Sequence, residues 1–521
     1  MKKTILLLIL KGTLLFAQAP AIQWQKCYGG TLAEQMRSIK QTADGGYIIV
    51  GSSSSTDGDV TSVNHGGGDV WVVKTSSTGV IEWQKCYGGT KQDTGICVDF
   101  TSDGGYLVGA YTYSNDGDVT GNHSANYTDI LLLKLSSMGT LQWMKTYGGT
   151  ANEYIFSIKS TPDGGSILVG NTYSNNDGDV NGSHFSLGTN DAWVLKLSSN
   201  GAIQWGKCFG GTSTDSIREI LLTSDGGYIF AANTASTNGD VTSVFNGYID
   251  YWVVKINSTG TIQWQKCYGG TAEENITSIN STTDGGYILG GNSNSNNGNV
   301  TGNYGSFDYW IVKINATGTI QWQKNFGGSS SDSASGGVQQ TTDGGYIIGG
   351  YTDSTNGNVT GANGSTDFWF VKLNALGNLS WQKALGGTAI DISYSSQKTT
   401  DGGYIITGFT ASNNGNVTGN HGSSDAWVVK LATDNLSTHD FLEKSILTLF
   451  PNPAKDNISL QLDHFIPSQE ITITDILGKT IYNQKLIGLT TTINISNLKQ
   501  GVYFLSLTYG TQKTTQKFIK E

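Results

Sequence analysis

The chain repeats itself seven times. "DGG" begins at Asp44, Asp103, Asp163, Asp225, Asp284, Asp343 and Asp401, so the period stays between 58 and 62 residues. Two further columns keep the same rhythm: Trp24, Trp83, Trp143, Trp205, Trp264, Trp322 and Trp381 in one, and Trp71, Leu131, Trp193, Trp252, Trp310, Trp369 and Trp427 in the other. Each period holds four short apolar or alternating runs bounded by Gly, Asn, Asp and Ser, the pattern of successive strands. After the first copy we name them A ("SIKQT"), B ("YIIVG"), C ("DVWVVKT") and D ("VIEWQKCYG"). Four strands in about 59 residues predict a propeller blade, because solenoid coils run shorter, near 20 to 45 residues. The expected fold class is therefore all-β, a seven-bladed β-propeller.

The order of the runs predicts how the ring closes. "IQWQKCYGGT" at residues 22 to 31 is an isolated D run; six ABCD sets follow, and a last ABC set ends near Leu431. An unpaired edge strand invites aggregation. The first D run is thus expected beside residues 427 to 431, completing the seventh blade.

Glycine, 71 of 521 residues, falls in periodic pairs that mark turns rather than in low-complexity tracts. A net charge of -10 without any Lys/Arg run excludes a nucleic-acid footprint or an anionic-membrane patch, and leaves neutral or cationic partners. Lys2 and Lys3 before an apolar segment ending in Phe16 and Ala17 predict a signal peptide over 1–19, cut near Ala17 and too interrupted to span a bilayer. The propeller is expected over 20–431, a linker over 432–445 and a separate small β domain over 446–521. Cys27, Cys86, Cys208 and Cys267 hold equivalent places in different repeats, too far apart for disulfides, so free and mostly packed thiols are expected.

Repeated residues read first as architecture. The Trp columns predict packing between blades, and the DGG aspartates predict caps on their own hairpins. Two acidic sets carry alternative readings. Glu34, Asp93, Glu153, Asp215, Glu274, Asp332 and Asp391 precede strand A in every copy and could form an acidic ring at the channel mouth. The B-to-C loops carry "DGDV" at Asp57/Asp59, Asp116/Asp118 and Asp177/Asp179, fragments of a calcium loop lacking its terminal glutamate; elsewhere the motif is "NGDV" or "NGNV". Because Asn keeps the turn while removing the charge, a simple turn is the first reading, with no cofactor, and calcium the alternative. His65, His123, His184 and His421 lie in the same loops without a metal-ligand spacing and read as solvated residues.

The tail resembles the type A C-terminal sorting domain of the Bacteroidetes type IX secretion system. The residues that carry the likeness are Pro451, Asn452 and Pro453, "DILGK" with Gly478, "LKQGVYFLSL" with Gly501, Val502 and Tyr503, and a basic end with Lys513, Lys517 and Lys520. The resemblance implies an Ig-like β-sandwich, export by the type IX machinery, and a secreted or outer-membrane-surface location. The "DGGYI" and "DxWVVKL" repeats also look like propeller repeats found ahead of such domains. The function expected is a binding or adhesion scaffold for a glycan, polymer or protein, acting as a monomer through its long-loop face. An extracellular enzyme acting on polysaccharide is the alternative; it would need unique acids or nucleophiles that break the repeat, and no such motif stands out.

Overall fold

Strands B and C lose the two-residue alternation of a half-exposed sheet because both of their faces are covered. In blade one, Tyr47–Ser53 and Asp69–Thr75 are buried at nearly every position, whereas the D strand Ile81–Tyr87 is half-exposed until Cys86. That gradient belongs to sheets standing radially, each packed between two neighbours. The computed structural model describes residues 18–184, 188–244, 247–434, 448–462, 470–486, 488–509 and 512–521, so the leader and most of the linker lie outside the described residues.

Blade one pairs Glu34–Gln41, Tyr47–Ser53, Asp69–Thr75 and Ile81–Tyr87 in that order, antiparallel throughout. Five more four-stranded sheets repeat it, from the strand Asp93–Phe100 to the strand Leu379–Leu385. Blade seven takes three strands, Asp391–Lys398, Tyr404–Thr410 and Asp425–Leu431, from one end of the repeat and its fourth, Ile22–Tyr28, from the other. Cys27 lies opposite Trp427 and Trp24 opposite Lys430. The A strands touch in succession around the ring, and Asp391–Lys398 meets Glu34–Gln41. At that seam Gln397 Nε2 donates to the Ile39 carbonyl at 3.0 Å, and Thr400 N donates to Gln41 Oε1 at 2.8 Å. The first strand thus completes a seven-bladed propeller.

Both Trp columns pack between blades. The C-strand rings, Trp71 to Trp427, are fully buried. Five D-strand rings lean on the B-strand tyrosine of the next blade, as in Trp24–Tyr47 at 5.9 Å and Trp381–Tyr404 at 5.9 Å between centroids. Tyr28 adds a hydroxyl donated to the Gly79 carbonyl of the next blade at 2.6 Å. Gly79 holds φ +77°, and a Cβ there would fall 3.0 Å from the Trp24 ring, so both backbone and space require glycine.

The DGG hairpin is bolted as well as capped. Asp44 Oδ1 accepts the Gly46 N–H at 2.9 Å, and Lys74 Nζ reaches Asp44 at 2.9 Å. The same Lys–Asp pair recurs at Lys134–Asp103, Lys196–Asp163, Lys255–Asp225, Lys313–Asp284, Lys372–Asp343 and Lys430–Asp401. Hydrogen bonds from Thr42 and Lys74 hold Asp44 down to about 2. All five cysteines are free; four are buried and Cys267 is half-buried.

The chain divides into two compact units, with Gln18–Asp434 forming the propeller. In the other unit, a sheet of Thr448–Phe450, Asn457–Gln461 and Thr490–Asn494 packs on one of Thr480–Lys485, Glu470–Thr474, Gly501–Tyr509 and Gln512–Lys520. Ile458, Leu460, Ile471, Ile473, Ile493, Leu505 and Phe518 are buried between them, which makes a β-sandwich.

Candidate functional site

The antiparallel order sends the A-to-B and C-to-D turns to one face of the ring and the long B-to-C loops, with the D-to-A loops, to the other. On that second face the "DGD" residues tie neighbouring blades together. Asp57 accepts the Thr31 N–H at 2.8 Å and the Thr31 hydroxyl at 2.9 Å, while Asp59 accepts the Gly29 N–H at 3.2 Å. Asp116 and Asp118 do the same to Thr90 and Gly88, and Asp177 and Asp179 to Thr150 and Gly148. The Asn copies make the same bonds: Asn297 Oδ1 accepts from Thr271 N at 2.8 Å and Asn299 Oδ1 from Gly269 N at 3.2 Å. An amide oxygen serves as well as a carboxylate, which explains the exchange of Asp and Asn between blades. Among the described residues, no group of three or more His, Cys, Asp or Glu is arranged to hold a metal.

The acids before strand A fit the architectural reading of this column rather than the acidic ring that was its alternative. Glu34, Asp93, Glu153, Asp215, Glu274, Asp332 and Asp391 are each fully buried, so they do not present a ring to solvent. Each is shut into its own blade junction, where it accepts a glycine N–H and the hydroxyls of strand B and its loop. Glu34, for example, accepts Gly30 N at 2.9 Å and Ser53 Oγ at 2.8 Å. Burial pushes Glu153 up to about 7 and Asp215 up to about 6 against these donors.

A second buried acid joins each junction from strand C of the preceding blade. A Cβ on Gly88 would lie 2.6 Å from Asp93 and 2.7 Å from Asp69, so the two carboxylates converge on one glycine. The Oδ1 atoms of Asp69, Asp129, Asp308, Asp367 and Asp425 are buried without a hydrogen-bond donor. In four junctions the C-strand aspartate meets a loop histidine through its other oxygen: His65 Nδ1 stands 2.9 Å from Asp69, His123 2.6 Å from Asp129, His184 3.3 Å from Asp191 and His421 2.6 Å from Asp425. The opposite ring nitrogens face the next blade, His65 toward Asp118 at 4.0 Å, His123 toward Asp179 at 3.9 Å and His184 toward Asp240 at 3.8 Å. His65, His123 and His184 are therefore clasps between two acids rather than solvated loop residues, while His421 holds Asp425 alone. The Asp69 hydrogen bond raises the pKa of His65; for His123, burial acts downward but Asp129 and Asp179 together outweigh it.

A signal for this clasp was present in the sequence, offset by one repeat. The blades after His65, His123, His184 and His421 carry Asp118, Asp179, Asp240 and Asp59 in the last acidic place of the turn motif. Where Tyr304 and Asn363 replace the histidine, the next blade carries Asn358 and Asn416. The fourth blade's loop has no histidine, and Asn299 follows it. Charge appears on the two sides of a junction together or on neither.

In the sandwich, the tail motifs become joints. Asn452 Oδ1 accepts the Ile519 N–H at 3.0 Å and its Nδ2 donates to the Lys517 carbonyl at 3.1 Å, tying Pro451 and Pro453 to the last strand. Gly478, at φ +81°, closes the turn in which Asp475 Oδ1 accepts Leu477 N at 2.9 Å and Lys479 N at 3.0 Å. Gly501 and Val502 pair with Lys520 and Ile519, and Tyr503 donates its hydroxyl to the Lys499 carbonyl at 2.8 Å. Lys513 lies opposite Thr508 in the same ladder.

Residues 448–521 match the family described as the secretion system C-terminal sorting domain. A comparison with curated proteins finds no match. Among solved structures the chain is similar to PorZ, described as an essential bacterial surface component of the type-IX secretion system of Porphyromonas gingivalis, at 11% identity and TM-score 0.38, over 95% of this chain and 60% of that one. It is similar also to YCF48 bound to D1 peptide, at 9% identity and TM-score 0.39 over 81% of this chain and 99% of that one. A mutant puromycin hydrolase complexed with PGG follows at 10% identity and TM-score 0.37, over 76% and 58%. This chain thus spans about 60% of the length of PorZ. No helix among the described residues is long and apolar enough to cross a membrane. The family match and the motif joints identify the end of the chain as a type IX secretion C-terminal sorting domain, so this propeller is a secreted or outer-membrane-surface protein.

Proposed function

We propose that the protein is an extracellular binding scaffold that holds a glycan, polymer or protein ligand against its long-loop face. The supporting observation is that this face presents exposed tyrosines on loops whose bases are pinned. Tyr127, Tyr248 and Tyr304 are 46%, 68% and 53% exposed, and they break the repeat, belonging to blades two, four and five. An aromatic ring offers apolar area and a polar tip at low entropic cost, and presentation on a rigid base reduces what binding must order. The hydrogen bonds of Asp116, Asn238 and Asn297 to the D-to-A loops supply that rigidity.

The test is a glycan array, with a panel of surface polysaccharides and proteins, probed with the full secreted chain and with the Tyr127→Ala, Tyr248→Ala, Tyr304→Ala triple variant. The expected outcome is a ligand whose affinity falls by about 100-fold in the triple variant, the scale of two anchor residues. Equal binding by both proteins would overturn the assignment of the face, and release of soluble sugars from a polysaccharide would replace binding by hydrolysis.

A further inference from the structure

Blade three departs from the repeat at one buried hydrogen bond. In five blades the C-strand indole N–H donates to a glutamine on strand D at 2.7 to 2.9 Å: Trp71 to Gln84, Trp252 to Gln265, Trp310 to Gln323, Trp369 to Gln382 and Trp427 to Gln25. The amide then runs on to a loop threonine, as Gln84 Nε2 does to Thr61 at 2.6 Å and Gln265 Nε2 to Thr242 at 3.0 Å. Blade two drops both partners together, carrying Leu131 and Met144. Blade three keeps Trp193, fully buried, but has Gly206 where the glutamine belongs, and the Trp193 indole N–H is left without an acceptor.

Gly206 opens onto a cleft of about 590 Å³ between blades three and four, which Asn181, His184, Lys207, Asp240 and Thr261 also line. Asn181 occupies the loop place of the threonine that receives the amide elsewhere. Asn181 stands on the cleft wall, and the Trp193 indole nitrogen lies behind that wall, 3.8 Å from where a Cβ on Gly206 would be. Leu195 stands where those five blades have valine, and its Cδ2 leans over Gly206, 2.7 Å from where a Cβ would be. This methyl is the terminus of a flexible side chain and turns aside at small cost.

We propose that the cleft is a binding site for a primary carboxamide, the side chain of a glutamine on a polypeptide partner, which restores the relay from Trp193 to Asn181. The class of ligand is set by the fold's own example: five times over, the group lodged at this place is a propionamide unit that accepts from the indole and donates to the loop. The proposal is independent of the loop tyrosines, which lie outside this cleft.

The experiment follows the Trp193 indole N–H resonance of the full chain, assigned with Trp193→Phe, during titration with propionamide, propionate and N-acetylglucosamine. Propionamide is expected to shift it saturably, and propionate to act at least about tenfold more weakly because it lacks the donor. Gly206→Gln, which supplies the group in cis, is expected to abolish the response. Leu195→Val, which clears the entrance, is expected to lower the half-saturation concentration several-fold and keeps the test open should Gly206→Gln fail to fold. No saturable shift in the wild type and in Leu195→Val, or an unchanged response in Gly206→Gln, would overturn the proposal. A response to N-acetylglucosamine without one to propionamide would also overturn it, in favour of a sugar acetamide.

Discussion

At the junctions that carry histidines, the buried C-strand aspartate is paired with an imidazole, as Asp69 is with His65 and Asp129 with His123. In blades five and six the same aspartate meets backbone N–H groups instead, of Tyr304 at Asp308 and of Asn363 and Gly364 at Asp367. Burial there pushes Asp308 up to about 7, with Asp332 nearby acting in the same direction. In one arc the imidazole beside Asp69 or Asp129 opposes the upward push of burial on the carboxylate, and in the other no imidazole opposes it at Asp308 or Asp367. The backbone at the two kinds of junction is the same, so the comparison separates what the propeller needs at this column from what it tolerates: a polar acceptor for the loop N–H is required, and its charge is not.

Three changes bear on that comparison. The largest effect is expected where the arcs should not differ. Trp71→Ala and Trp369→Ala each remove a fully buried ring and should each cost about 3 to 5 kcal/mol in denaturant unfolding. A clear inequality between them would show that the arcs differ in core packing as well as in junction chemistry.

The next test divides the arcs by pH. His123 is raised in the fold, so its contribution is complete below its unfolded value near 6.5 and fades as pH rises through the folded one. Asp129→Asn should therefore destabilise by about 1 kcal/mol at pH 6, and by less at pH 8.5. Asp308 is also raised, so its contribution is complete below about pH 4 and declines as pH climbs through about 7. Asp308→Asn should therefore flatten that decline and leave the variant relatively more stable at pH 8 than at pH 5, by on the order of 2 kcal/mol. Matching pH profiles for the two variants would erase the distinction. Below about pH 4 both arcs should weaken together, since Asp44, Asp103, Asp163 and Asp284 all titrate near 2 in the fold.

The smallest effect is expected from exchanging Asp57 for Asn and, in the other arc, Asn356 for Asp. Both residues accept the same loop N–H, Asp57 from Thr31 and Asn356 from Ser329, each at 2.8 Å. Thermal midpoints should move by no more than about 1 °C, the scale of a surface substitution in a domain of this size. A calcium-dependent rise in the wild-type midpoint that Asp57→Asn removes would instead assign the motif to metal binding.

What the sequence disclosed was whatever repeats in place. Strand order, ring closure through residues 22 to 28, and the Asp44 cap all follow from columns read one at a time, because each is decided by local periodicity or by a single long-range count. The histidine clasps required comparing one column with another shifted by a whole repeat, His65 with Asp118 and His123 with Asp179, since a blade junction joins non-equivalent positions of successive copies. The ambiguity at Glu34 and its counterparts has a related origin. A charge column suggests an aqueous surface, and only the three-dimensional arrangement shows that Gly30 and Ser53 shield it. Gly206 is an exception to the repeat, and an exception acquires meaning only once Trp193 is known to need an acceptor.

Gln25 and Trp427, joined by a 2.7 Å hydrogen bond, are 402 positions apart. A vectorially emerging polypeptide makes the first of them available early and the second almost at the end, so the seam is sealed late in biogenesis. The export tag begins only at residue 448, shortly after the sealing strand ends at Leu431. A chain truncated anywhere within the repeats therefore lacks both the strand that seals the ring and the domain that carries its address.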